Sequence, residues 1–123
     1  MKEHFKLRHF EYPEDMDREC ILICDVFNSC GLKTKYSCCG HGRDNFYVMF
    51  DDEVSILKME EFLSQFENQY THSPFLGKFV MWMRKMSGKI VRNWMYEARY
   101  GIEAGRDVIT MIKEITGSEN GFK

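Results

Sequence analysis

The chain has no apolar run near the roughly 18 residues that a membrane-spanning helix requires. Its start, Met1-Lys2-Glu3-His4-Phe5, also lacks the apolar centre of a secretory signal, so a cytosolic protein is expected. There is no P-loop, no dinucleotide-binding glycine pattern after a first strand and no G-x-S-x-G elbow, which argues against standard kinases, dehydrogenases and hydrolases. Net charge is only −2, too little for a polycation that holds nucleic acid by bulk electrostatics. Five cysteines, an odd number in a chain without an export signal, do not make a disulfide framework, so reduced thiols are expected. No internal repeat or low-complexity tract is present.

What is present reads as one globular unit. The 123 residues, 44% apolar and 29% charged, suit a single domain over residues 1–123. Aromatics reach 15% and there are nine methionines, more apolar surface than so short a chain fully buries, so a homo-oligomer is expected.

Residues 2–10 alternate weakly and suggest a first strand. Pro13-Glu14-Asp15 opens a helix expected to run from Glu14 to Cys30 and stop at Gly31, with Met16, Cys20, Ile23, Cys24 and Phe27 as its buried stripe. Leu32 to Ser37 and Phe46 to Phe50 read as a hairpin, with Leu32, Thr34 and Tyr36 on one side of the first strand. Asp51 and Asp52 can cap a second helix reaching Gln69, its stripe Val54, Leu57, Phe62, Leu63 and Phe66. Lys78 to Met86 and Lys89 to Tyr100 form a second hairpin around Ser87-Gly88. A last helix presents Val108, Ile109, Ile112 and Ile115 and ends at Gly117. The expected class is α+β, a mainly antiparallel sheet with three helices packed against it, in the order β-α-β-β-α-β-β-α.

Two segments carry candidate chemistry. In Ser37-Cys38-Cys39-Gly40-His41-Gly42-Arg43 a turn collects thiols, an imidazole and a guanidinium. Zinc is disfavoured, because adjacent cysteines point apart and no second C-x-x-C or H-x-x-x-H pair completes a shell; no metal and no cofactor is expected. Thiol catalysis by Cys38 or Cys39 with His41 as base remains open. So does anion binding by the turn's backbone N–H groups with His41 and Arg43. Equally open is the plain reading, in which the cysteines pack as small apolar groups and the glycines only permit the bend.

The other segment, residues 78–100, holds six basic residues and one acid, a net +5 against −7 for the rest. Trp82, Arg92, Asn93, Trp94, Arg99 and Tyr100 lie here, with Arg106 beyond. Residues two apart share a strand face, so Arg92, Trp94 and Tyr96 fall together and Asn93 opposite. Rings beside guanidinium groups can stack a base and neutralise phosphates, and the same rings can also be core. Asp51-Asp52-Glu53 and Glu60-Glu61 read as helix-end and solvated charges.

The turn Ser37-Cys38-Cys39-Gly40-His41-Gly42, with its flanking strands, resembles small phage and prophage proteins carrying an SCCGHG-type motif, over about twenty residues. In overall character, with its basic aromatic hairpin, the chain is also similar to the anti-Thoeris sponge proteins of phages. That resemblance implies a cytosolic, non-catalytic oligomer sequestering cyclic ADP-ribose isomers or other cyclic nucleotides. Its binding residues have no position-by-position match here. The candidate ligand set from the chemistry above is His41, Arg43, Trp82, Arg92, Asn93, Trp94, Arg99, Tyr100 and Arg106, with no catalytic residue. In this reading the partner is a small phosphorylated cyclic nucleotide, with no membrane and no stable nucleic-acid partner. The alternatives are a Cys-His enzyme and a protein–protein inhibitor of a host factor.

Overall fold

The computed structural model describes residues 6–14, 16, 18–38, 45–66, 75–99 and 101–116. In chain order the elements are α1 (Arg18–Ser29), β1 (Thr34–Cys38), β2 (Phe46–Phe50), α2 (Ile56–Ser64), β3 (Lys78–Met86), β4 (Lys89–Ala98) and α3 (Gly101–Thr116). The strands form one antiparallel sheet in the order β1-β2-β4-β3, so the fold is the expected α+β class.

The expected first strand is corrected. Residues 6–10 carry no regular structure, because α1 side chains take up their backbone donors. The Arg8 N–H donates to Ser29 Oγ (2.9 Å) and the Phe10 N–H to Asp25 Oδ1 (3.0 Å), leaving no ladder to join. The first helix begins at Arg18 rather than Glu14. It ends as expected, at Gly31 with φ +87°, where the Leu32 N–H folds back onto Phe27 O at 2.9 Å.

In β1 the expected alternation breaks. Thr34 pairs with Phe50, but Tyr36 pairs with Met49, an irregularity at Lys35 that turns Tyr36 to the other face of the sheet. Tyr36 is accordingly 57% exposed while Leu32 is buried. The second helix also starts later than expected. Ser55 is its cap, accepting from the Lys58 N–H, while Asp51 closes the preceding turn by accepting from the Glu53 N–H. That phase buries Met59 and Phe62 and leaves Leu57 exposed. The helix also ends earlier, at Ser64 with Gln65 as its cap, short of the expected Gln69; Gly117 lies outside the described residues. In the last helix Ile109 is exposed, and Ala104, Val108, Met111, Ile112 and Ile115 are buried.

The β3–β4 turn places both Ser87 (φ +50°) and Gly88 (φ +79°) in the left-handed region, as a two-residue hairpin turn matching strand twist requires. All three helices cover one face of the sheet. Phe27 of α1 lies at its centre, with ring centroids 4.9 Å from Phe50, 5.6 Å from Tyr96 and 6.0 Å from both Phe62 and Phe79. Asp107 of α3 locks the bottom of this core. It accepts from the Leu76 N–H (2.7 Å), the Gly77 N–H (2.8 Å) and the Tyr96 hydroxyl (2.5 Å). Gly77 is required there, since a Cβ would sit 2.6 Å from the Tyr96 ring. Among the described residues no helix is long and apolar enough to cross a membrane.

Candidate functional site

The β3–β4 ladder decides which candidate residues meet. Met83 faces Arg92 and Met81 faces Trp94 across one face, while Trp82 faces Asn93 across the other. Arg92, Trp94 and Tyr96 do share a face, and the three fare differently along it. Tyr96 is fully buried, Trp94 packs against the edge of the core and Arg92 is exposed. The Trp94 indole N–H is buried with no hydrogen-bond partner among the described residues.

Beyond the end of β2 the hairpin continues with no neighbouring strand among the described residues, and a cleft of about 600 Å³ opens between it and the start of α2. Arg92 and Trp94 line one wall, Ile56 and Leu57 the opposite one, and Asp52 also reaches it. The cleft therefore combines an indole with a buried donor, a solvated guanidinium and an aliphatic wall. Such a mixture suits a flat ring bearing an anionic group.

Asn93 has a structural role. It is buried, and its amide donates to Phe50 O (3.0 Å) and to Asp52 Oδ1 (2.6 Å), tying the hairpin to the end of β2. That hydrogen bond, then the Lys35 charge, holds the Asp52 carboxyl below the usual carboxylate range. Trp82 is 42% exposed on the face away from the helices, with the Arg84 guanidinium 5.0 Å from its ring centroid. It cannot stack the same ring as Trp94.

Arg99 and Arg106 do not join the cleft either. Arg92 and Arg99 are seven residues apart along an extended chain, about 23 Å. Arg99 instead lines a separate hollow of about 450 Å³ with Lys78, Glu97 and Glu103, and its backbone N–H donates to Glu103 Oε1 (2.9 Å). Arg106 lies on the exposed side of α3. Within one chain, then, Arg92 and Arg99 do not grip one diphosphate together. His41, Arg43 and Tyr100, with Cys39 of the thiol reading, lie outside the described residues. Cys38 closes β1.

Sequence reasoning missed a polar hub at Asp25. This buried carboxylate accepts from the Phe10 N–H and the Tyr12 hydroxyl (2.8 Å) and lies 2.9 Å from His9 Nδ1, pinning residues 8–13 across α1. Beside it is a hollow of about 530 Å³ lined by Tyr12, Cys24, Asn28, Lys33 and Tyr36. The available signal was an acid inside the apolar run Ile23-Cys24-Asp25-Val26-Phe27, and Asp107 inside the stripe of the last helix is its counterpart. Burial pushes the Cys24 thiol up to about 11 and the Cys30 thiol up to about 12, so both are packing groups and poor nucleophiles. Among the described residues no group of three or more His, Cys, Asp or Glu side chains is placed to hold a metal ion.

A protein-family model, that of the YoqC prophage protein, matches residues 3–118. Neither a curated protein nor a solved structure matches the chain. The prophage side of the sequence resemblance is supported over most of the chain, and no comparison ties it to the anti-Thoeris sponges.

Proposed function

We start from the fact that the chain belongs to the YoqC prophage protein family, and we propose that it is a non-catalytic binding protein that sequesters a small cyclic nucleotide signal during infection. The observation that supports this reading is the pairing of Arg92 with Trp94 on the wall of the cleft between the hairpin and α2. A ring can lie against the indole while the guanidinium meets a phosphate. The net +5 of residues 78–100 raises the local concentration of an anion. At about 600 Å³ the cleft lies within the range of pockets that enclose small ligands.

Calorimetry with a panel of cyclic ADP-ribose isomers and cyclic di- and trinucleotides, followed by denaturation and mass analysis of the released ligand, tests the proposal. Binding with intact release is expected, weakened at least about tenfold by Arg92→Ala, as loss of a charge-assisted hydrogen bond implies. Recovery of a cleaved product would instead indicate an enzyme, and its loss in a Cys38→Ser, Cys39→Ser double variant would assign the thiols. No binding by any member of the panel would remove the cyclic nucleotide reading.

A further inference from the structure

Of the consecutive acids Asp51, Asp52 and Glu53, only Asp52 lines the cleft that also holds Arg92 and Trp94. A carboxylate there repels a ligand that brings nothing but a phosphate, so its presence favours a ligand that also carries a hydrogen-bond donor. The local geometry fits that demand. Both donors to Asp52, the Asn93 amide at 2.6 Å and the Lys35 ammonium at 3.4 Å, fall on the same oxygen, Oδ1. Oδ2 takes no hydrogen bond among the described residues, on a side chain that is 61% exposed. The tie between the hairpin and the end of β2 thus uses one half of the carboxylate and leaves the other open. Arg92 does not neutralise it, because among the described residues the ion partner of Asp52 is Lys35. The cleft therefore presents a free cation and a free acceptor that do not pair with each other, beside the Trp94 ring.

We propose that Asp52 Oδ2 accepts a hydrogen bond from a hydroxyl or amine of the ligand whose phosphate meets Arg92, so that the cleft selects ligands carrying both groups. This rests on the cyclic nucleotide reading above and narrows it. A ribose hydroxyl and the exocyclic amine of a base are the donors such a ligand offers, and an ionised carboxylate accepts from either. The Asn93 hydrogen bond, then the Lys35 charge, keep the carboxyl ionised. Asn93 is itself buried in the sheet, so the oxygen it fixes needs little further ordering when a ligand arrives. An anion without a donor meets Asp52 only as a like charge.

Calorimetry with the wild-type chain and Asp52→Asn tests this. The probes are the members of the cyclic ADP-ribose and cyclic oligonucleotide panel that the wild-type chain binds, each beside its deoxyribose counterpart and its counterpart with hypoxanthine in place of adenine or guanine. Asp52→Asn keeps an oxygen for the Asn93 amide and replaces the free acceptor with a donor, so the hairpin stays tied while the ligand loses its partner. Affinity for the parent ligand is expected to fall about tenfold or more, the size of a charge-assisted hydrogen bond. One of the two counterparts is expected to bind the wild-type chain about as weakly and to lose nothing further in Asp52→Asn; which one it is identifies the hydroxyl or the amine as the donor. If the variant loses affinity while both counterparts bind the wild-type chain like the parent, the proposal is overturned and Asp52 only positions the hairpin. Unchanged or tighter binding by Asp52→Asn, with Arg92→Ala still weakened, also overturns it and leaves the cyclic nucleotide reading standing. No binding of any panel member by the wild-type chain removes that reading and this inference together.

Discussion

The two faces of one sheet receive opposite treatment although the same four strands supply both. On the helix side Phe27, Phe50, Phe62, Phe79 and Tyr96 meet ring to ring, and a carboxylate with three donors closes the bottom of the core. On the other side lie Tyr36, Val80, Trp82 and Met95, with the Arg84 guanidinium over Trp82 and, among the described residues, no helix across them. A monomer needs only one buried face to fold, so stability resides on the first side. The cleft beyond β2 is left for a ligand.

The widest separation between the faces is expected from Phe27→Ala, which removes the ring at the centre of the aromatic cluster. A loss of about 3–5 kcal/mol in urea denaturation is expected, the cost of an emptied core site. A cost under about 1 kcal/mol would mean that the helices are not held as described.

Asp107→Ala is next. It strands the Tyr96 hydroxyl and two backbone donors, and about 3 kcal/mol should be lost by the same measurement. Gly77→Ala forces a methyl group against the Tyr96 ring and should cost about 1–3 kcal/mol.

The thiols make the core side sensitive to alkali. Burial raises Cys24 to about 11 and Cys30 to about 12 from an ordinary 9.0, so the folded chain holds these protons more tightly than the unfolded one. Their contribution is whole below about pH 9 and is lost as pH rises through 11 and 12. Stability measured against pH should therefore fall in that window. Replacing both thiols, Cys24→Ala with Cys30→Ala, should flatten the fall. The smallest effect belongs to the face away from the helices: Trp82→Glu, at a 42% exposed position, should change stability by no more than about 0.5 kcal/mol. A large stability loss there would show that the second face belongs to the core.

Much of the fold was legible because its signals are local. Apolar spacing located three helices, the Phe46–Phe50 strand and the long hairpin, and Gly31 and Ser87-Gly88 marked the turns. Alternation correctly placed Arg92 and Trp94 on one face and Asn93 on the other. The candidate site was legible only as a list. Composition put Trp82, Arg92 and Arg99 in one basic, aromatic stretch, yet Trp82 lies behind the sheet and Arg99 lies about 23 Å along the chain from Arg92.

By itself, then, the sequence determined the class of the fold, the number of helices and the parity of β4, because these follow from repeats of 2 and 3.6 residues. Tertiary structure alone decided the rest. An irregularity at Lys35 reversed Tyr36, Ser55 rather than Asp51 or Asp52 capped α2, and Asp25 drew residues 8–13 across α1 instead of into the sheet. Each of these depends on what lies opposite in space: a ladder one residue out of step, a helix phase set by Met59 and Phe62 reaching the core, a buried carboxylate that must find donors. No local pattern encodes such a partner, because the burial that makes it necessary exists only once the chain has packed.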